Sequence, residues 1–241
     1  MESKFNFLLF ILYISIYYWG DMLKIITFWI MISQFIVLTA CHSREDADQL
    51  KNITFPDKTT EQQFKNWYTG NNRVLLDEYR SYLAKYLKNT PNVFQLSYNQ
   101  SNELKGCEQY QFTIPPKQYW KNIINSLKLI EKLQMNGLFD HYRIVHAYSP
   151  KQANACFSNA IESKHDSNSA VDIQLLNEQQ QIYHNQGTKI KELCQFWIED
   201  GREYRMGLGI YNNDTLHIDT LGYRTWGIGR STKRSPCLVD D

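Results

Sequence analysis

The chain has 241 residues and a formal net charge of +1 at pH 7, which argues against a nucleic-acid-binding protein because such domains usually carry a clustered basic face. Aromatic residues make up 14% of the sequence and supply ample material for a core. With the apolar N-terminal segment set aside, about 200 residues remain, which is enough for one compact domain.

Two apolar runs, residues 5–18 and 25–40, make the N-terminus the most apolar part of the chain. From Met22 onward the order is that of a secretory signal, with Lys24 followed by an apolar stretch. It ends in Leu38-Thr-Ala-Cys41, which resembles the bacterial lipobox. The alternatives are a hairpin of two membrane helices, because each run is near the lower limit for a span, or an ordinary cleaved signal.

We therefore expect residues 1–40 to be an export segment, with Met22 as the true start of the protein. Acylated Cys41 would anchor the chain to a membrane, and residues 41–60 would form a polar tether. The expected location is the periplasmic face of a bacterial membrane, with the outer membrane as the first choice. Residues 61–241 would then form the folded domain.

The first half of this domain is predicted to be mainly helical. Apolar residues recur at helical spacing over residues 61–88, and Gly70-Asn-Asn divides this stretch into two helices. Residues 92–97 and 108–114 are predicted strands. An amphipathic helix follows from Trp120 to Met135.

The second half is predicted to be mixed. Strands are expected at residues 142–148 and 170–176, a short helix near residues 152–156, and a helix over residues 189–199 capped by Thr188. Residues 206–211 and 215–220 read as a hairpin whose turn is Asn212-Asn-Asp214. The order predicts an α+β fold with helices packed on a small antiparallel sheet.

The remaining four cysteines fit an exported protein. They are an even number, which is consistent with two disulfides, and four cysteines allow three connectivities. A Cys-rich zinc site is less favoured because the chain has no Cys-x-x-Cys pair. The four residues are Cys107, Cys156, Cys194 and Cys237.

Two histidines and an aspartate carry the strongest chemical signal. His165 and Asp172 are seven residues apart, at a loop and the strand after it, and His217 lies on the last strand of the predicted hairpin. Two histidines and one carboxylate are a ligand set of catalytic zinc, which keeps its fourth position for water. These three residues predict a zinc site.

At these residues the chain resembles the zinc D-alanyl-D-alanine carboxypeptidases and the related peptidoglycan endopeptidases. The resemblance covers residues 144–226 and combines Ser163-Lys-His165, Ala170-Val-Asp172 and His217-Ile-Asp-Thr220, with a Gly, an Arg and a Trp after the last string. It implies the fold of those peptidases, a bound zinc ion at His165, Asp172 and His217, and peptidoglycan stem peptides as the substrate.

The resemblance leaves the residues beside the metal open. Asp219 shares a strand face with His217, so it is predicted to act either as the general base or as a partner that orients His217. Asp214 occupies the place where several family members have Glu and is the second candidate for the base. Ser163 resembles a serine that holds the substrate, although a Ser that caps the loop is the alternative.

Three family features are changed in this chain. The arginine that binds the substrate carbonyl is missing from Ala147-Tyr-Ser149, and Arg143 and Arg224 are the candidate replacements. Ser158-Asn159 stands where the family has Gly-Gly. Asn168 replaces a glycine after the first ligand, and asparagine tolerates the left-handed backbone better than most residues.

The resulting expectation is an exported zinc peptidase that cuts D-Ala–D-Ala or a similar bond in the cell wall. The runner-up is a lipoprotein that keeps the fold and binds wall peptides or a partner with little or no cleavage. A third is an adhesion or assembly lipoprotein whose histidines coincide by chance. His146, on the predicted strand 142–148, is expected to be a core residue.

Overall fold

The computed structural model describes residue 50 and residues 53–100, 106–153, 163–183, 187–211 and 214–238. The chain divides into two compact units, Met1–Thr54 and Phe55–Asp241. The predicted export segment, Cys41 and most of the tether lie outside the described residues. Within the described ranges, no helix combines the length and apolarity that crossing a bilayer requires.

Helices α1 (Lys58–Trp67) and α2 (Gly70–Leu83) confirm the two helices predicted for residues 61–88. The Asp57 side chain caps α1 by accepting the backbone N–H of Thr60 at 2.8 Å. The division between the helices falls before Gly70, which begins α2 with a positive φ of 51°. Glycine takes this backbone conformation without a steric penalty.

The two strands predicted for residues 92–97 and 108–114 are wrong. Val93–Ser97 is a short helix, α3, whose Asn92 side chain accepts the backbone N–H of Gln95 at 2.9 Å. Glu108–Tyr110 forms a 3-10 turn. A short apolar run has no periodicity that distinguishes a strand from a buried helix. In α3 the Asn92 cap favours the helix.

The predicted helix from Trp120 to Met135 is confirmed in its main part. A 3-10 turn, Lys117–Ile123, continues into α4, Ile124–Met135, and Gly137 follows it with φ 76°. Helix α5 spans Gly187–Glu199. It begins earlier than predicted, so Thr188 lies inside its first turn and the prediction that Thr188 caps it is wrong.

The sheet contains five strands in the order β1-β2-β4-β3-β5. Four of them were predicted, and the hairpin pairs as expected. The strands are β1 His141–His146, β2 Ala170–Leu176, β3 Gly207–Ile210, β4 Thr215–Asp219 and β5 Arg224–Trp226.

The unpredicted strand β5 makes the sheet mixed, so the expectation of a purely antiparallel sheet is corrected. Both edges of β4 are occupied by β2 and β3, and the chain that leaves β4 therefore pairs with the free edge of β3. It meets β3 in the parallel direction. The α+β class itself is confirmed.

The two faces of the sheet differ in polarity because successive residues of a strand point to opposite sides. On β2, Val171, Ile173 and Leu175 are buried and alternate with Asp172 and Gln174. Helix α4 packs against β2 and β4. The apolar side chains therefore form a core with α4, and the alternate residues form a polar face that carries the candidate site.

One disulfide fastens the C-terminal segment to α5. Cys194 and Cys237 are joined, and their Cα atoms are 4.8 Å apart. This pair occurs in one of the three possible connectivities. Cys107 is also disulfide-bonded. Cys156 lies outside the described residues.

Candidate metal centre

The polar face of the sheet carries one transverse row of chemically active side chains. His146 on β1 pairs with Asp172 on β2, and Asp172 pairs with His217 on β4. The row continues through Gly209 on β3 to Trp226 on β5. Residues directly opposite each other on adjacent strands point to the same side. Strand register therefore brings Asp172 and His217 together although 45 residues separate them.

His165 reaches the same point from the loop that precedes β2. The 3-10 turn that precedes α4 and α4 itself both hold this loop. Asn122 Nδ2, in the turn, donates to the carbonyl of Ser167 at 2.8 Å. Ser126 Oγ, in α4, donates to the carbonyl of Ser169 at 2.8 Å. The His165 side chain is buried as a result.

Asn168 provides the turn on which this loop depends. Its φ is 55°, in the left-handed region, and its side chain is completely buried. Asn168 Nδ2 donates to the Tyr79 hydroxyl at 2.9 Å and to the Tyr119 carbonyl at 3.1 Å. The prediction that Asn168 adopts a left-handed turn is confirmed.

Three acceptor atoms converge at the site. Asp172 Oδ1 lies 2.8 Å from His217 Nδ1 and 3.2 Å from His165 Nε2. The two imidazole nitrogens are themselves 3.2 Å apart. One ligand atom from each residue fits within a span of 4.8 Å, so the three could hold a metal ion.

Hydrogen bonds behind the two rings determine which nitrogen atoms carry protons. His165 Nδ1 lies 2.7 Å from the Ala147 carbonyl, and His217 Nε2 lies 3.0 Å from Asp219 Oδ2. Both partners only accept, so Nδ1 of His165 and Nε2 of His217 must donate. When both rings are neutral, the opposite nitrogens turn lone pairs toward Asp172. Lone pairs this close repel one another unless a proton or a metal ion lies between them.

The charges at the site are consistent with this need for a cation. Burial raises the pKa of Asp172, but His165 and His217 outweigh it and hold that pKa well below its usual range. Burial lowers the pKa of His217, but Asp172 and Asp219 outweigh it and raise that pKa to about 9. In the metal-free protein a proton on His217 therefore partly compensates the two carboxylates.

Both carboxylate oxygens of Asp219 accept hydrogen bonds from neighbouring groups of the protein. It is fully buried and accepts His217 Nε2–H on Oδ2 and the backbone N–H of Leu221 on Oδ1 at 2.8 Å. Arg224 donates to both carboxylate oxygens, at 3.0 and 2.5 Å. Asp219 lies behind the His217 ring, on the side away from Asp172. Of the two predicted roles, this geometry favours orienting His217 over acting as the base.

Two glycines on β3 make room for these contacts. A Cβ atom on Gly207 would lie 2.6 Å from Asp219 Oδ2 and 2.8 Å from Arg224 Nη1. A Cβ on Gly209 would lie 2.5 Å from the Trp226 indole, whose ring centroid is 5.1 Å from that of His217. The alternating glycines of β3 therefore let the side chains of β5 pass over that strand. This glycine pattern is visible in the sequence and could have indicated the contact.

His146 is a site neighbour that the sequence pattern assigns to the core. Its ring centroid is 4.3 Å from that of His165, and its Nε2 lies 3.0 Å from Ser149 Oγ. Burial and the neighbouring His165 lower its pKa to about 3, so the ring is neutral. The expectation of a core role is corrected, because the end of β1 is bulged between Ile144 and His146 and turns His146 toward the site.

The remaining predicted residues occupy distinct places. The Ser163 hydroxyl accepts the backbone N–H of His165 at 3.2 Å, so it caps the loop as the alternative interpretation expects. Asp214 stands at the turn before β4 with a φ of 58°. Arg143 lies on β1 and bonds Gln174, while Arg224 is bound to Asp219. Ser158-Asn159 lies outside the described residues.

Comparison with known proteins adds no relative. No protein-family model, no curated protein and no solved structure matches this chain.

Proposed function

We propose that this protein is a zinc-dependent cell-wall peptidase that hydrolyses D-Ala–D-Ala or similar bonds in peptidoglycan stem peptides. One observation carries the proposal: His165 Nε2, His217 Nδ1 and Asp172 Oδ1 converge within hydrogen-bonding distance, and the far nitrogen of each ring is already used as a donor. Such a set of acceptors suits a cation.

The donor chemistry favours zinc. Two imidazoles and one carboxylate match the borderline character of Zn²⁺ better than that of Mg²⁺ or Ca²⁺, which prefer oxygen ligands. Three protein ligands leave one coordination position open, which is typical of catalytic rather than structural zinc. A zinc ion held there would lower the pKa of a water molecule and polarise the scissile carbonyl.

The chain's own residues supply the remaining functions. Asp219 and the Ala147 carbonyl orient the two histidines, in the manner of carboxylate and carbonyl partners behind metal-bound imidazoles. Asp214 is the candidate base that takes a proton from the attacking water and delivers it to the leaving amine. It stands three residues before His217, at the place where several members of the family that the chain resembles have Glu.

The choice of substrate rests on the resemblance to the D-alanyl-D-alanine carboxypeptidases, whose fold we also propose for this domain. The Cys194–Cys237 disulfide is consistent with export, because disulfides persist in oxidising compartments. An acylated Cys41 would hold the enzyme at a periplasmic membrane face, close to its substrate.

A non-catalytic wall-peptide-binding lipoprotein is the second candidate. The bonds of Asp219 to both His217 and Arg224 favour it, because they remove one of the two predicted bases. This candidate keeps the metal and the substrate class and differs in turnover alone.

The test combines metal content with digestion of muropeptides. The full chain, purified in detergent and loaded with zinc, is incubated with muropeptides that end in D-Ala-D-Ala, and released D-Ala is measured by mass spectrometry. We expect one zinc per chain and release of D-Ala. His165→Ala should lose both, whereas the control His141→Ala, which removes an exposed histidine at the start of β1, should retain both.

Two further variants separate the roles of the carboxylates. Asp214→Asn should retain zinc and lose turnover by about 10²- to 10⁴-fold, the usual contribution of a general base. Asp219→Asn should weaken zinc binding by about 10- to 100-fold, as loss of a residue that orients a ligand does. Zinc binding without any release of D-Ala supports the second candidate, and absence of zinc contradicts both.

A further inference from the structure

Two arginines lie on the polar face of the sheet, and their surroundings differ. Arg224 on β5 is neutralised, because it donates to both oxygens of Asp219 and also to the Gly222 carbonyl at 3.0 Å. Its guanidinium carbon lies 5.1 Å from the centroid of the Trp226 ring. The charge and the donors of Arg224 are therefore used in contacts within the protein.

Arg143 on β1 has no such counter-charge. Its Nε and Nη2 donate to the amide oxygen of Gln174 at 3.0 and 2.7 Å, and no Asp or Glu of the described ranges forms an ion pair with it. The side chain is half-buried, and burial lowers its pKa. A partly desolvated cation without an anion is unfavourable, and an anionic group of a ligand would relieve this cost.

The position of Arg143 fits one particular anionic group. Arg143 pairs with Gln174, and Gln174 pairs with Thr215, in a row parallel to the row of Asp172 and His217. Rows on one face of a strand are two residues apart, or about 6.6–6.8 Å. One peptide residue spans about 3.3–3.6 Å. If the bond to be cut lies at the metal, the carboxylate of the next residue therefore lies within reach of the Arg143 side chain.

We propose that Arg143 binds the free C-terminal carboxylate of the residue that leaves, so that the site selects the ends of stem peptides over internal cross-links. The planar guanidinium offers its donors in a fork that matches a carboxylate. Gln174 holds Nε and Nη2 and leaves further N–H groups for the ligand. This inference rests on the proposed peptidase function and assigns its substrate as a chain end.

The test compares D-Ala-D-Ala with its C-terminal amide as ligands of the zinc-loaded full chain, by calorimetry and by hydrolysis. We expect the wild type to bind the free acid about 10- to 100-fold more tightly than the amide, the range of a charge-assisted hydrogen-bonded pair. Arg143→Gln should bind the two alike, with zinc content unchanged. Arg143→Lys should keep part of the preference, because it retains the charge without the fork.

Lys128→Gln is the matched control, because it removes one positive charge from the exposed side of α4. It should keep the full preference for the acid. A wild type that binds or cleaves the amide as well as the acid overturns the inference and leaves the peptidase proposal standing. A preference for the acid that depends on Arg143, but without hydrolysis, supports the contact between Arg143 and the carboxylate and contradicts the peptidase proposal. An unchanged preference in a folded, zinc-bound Arg143→Gln also overturns the inference.

Discussion

The two faces of the five-stranded sheet place opposite demands on the same strands. On one face, buried residues such as Ile173 and Ile218 pack under α4. On the other, Asp172 and His217 stand opposite each other, and Asp219 bonds both His217 and Arg224. The first face gains stability from packing, and the second holds polar groups that oppose one another without a cation. We infer that the apolar face maintains the strand register on which the polar face depends.

The largest expected effect comes from weakening the apolar face. Ile173→Ala removes a fully buried side chain next to Asp172. We expect the free energy of unfolding of the metal-free protein to fall by about 2–5 kcal/mol, the usual cost of such a cavity. Urea denaturation in the presence of a chelator measures it.

The control for this variant is Val74→Ala, which truncates a side chain on α2 that is 61% exposed and should change stability by less than about 0.5 kcal/mol. Folded Ile173→Ala should still bind one zinc. Loss of zinc from the folded variant would show that packing at Ile173 controls the geometry of the ligands and not only the stability of the sheet.

A smaller effect is expected from crowding the polar face. In Gly209→Ala the added Cβ would meet the Trp226 indole at 2.5 Å, and overpacking of this kind costs about 1–3 kcal/mol. Because Trp226 adjoins His217, zinc affinity measured by chelator competition should fall as well. Gly187→Ala is the control, because nothing lies within 4 Å of its added Cβ. Equal behaviour of the two variants would argue against a crossing of β3 by Trp226.

The loop that carries His165 is tested by the choice of residue at position 168. Both Asn168→Gly and Asn168→Ala lose the bonds to Tyr79 and the Tyr119 carbonyl. Alanine also has to adopt the left-handed φ of 55°, so it should be about 1 kcal/mol less stable than glycine in thermal or urea unfolding. If alanine is as stable as glycine, the loop does not depend on this turn.

The smallest effect concerns protons. The pKa of His217 is raised to about 9 in the metal-free protein, so its proton is still bound at pH 7 and must leave when a metal binds. Calorimetry at pH 7 in buffers of different ionisation enthalpy should show release of about one proton per zinc. Zinc affinity should therefore rise with pH until about pH 9. An affinity that is flat between pH 7 and 9 would show that His217 carries no extra proton at pH 7 in the metal-free protein.

The sequence predicts the apolar face better than the polar face. Alternation identified β2 at the residues the structure has, because its inward residues are apolar on every second position. Strand β5 was missed because it has only three residues, Arg224–Trp226, and pairs with a strand that is not its neighbour in sequence. The short α3 was taken for a strand, since five residues do not establish a helical period.

The composition of the site was predictable and its internal arrangement was not. Residue type and spacing singled out His165, Asp172 and His217, which the structure brings together. The bulge that turns His146 to the site, and the contact of Arg224 with Asp219 across Gly207, depend on register between distant strands. The alternating glycines of β3 mark the space for the β5 side chains, but no local pattern encodes the register that brings these neighbours together.

X-ray absorption spectroscopy of the zinc-loaded full chain, with metal analysis of the same sample, shows whether His165, Asp172 and His217 together bind zinc. We expect one zinc per chain, bound to two imidazole nitrogens and a carboxylate oxygen at about 2.0–2.2 Å. In His165→Ala the stoichiometric zinc should be lost. Zinc bound through sulfur, zinc bound equally well by His165→Ala, or no zinc in the wild type would contradict this expectation.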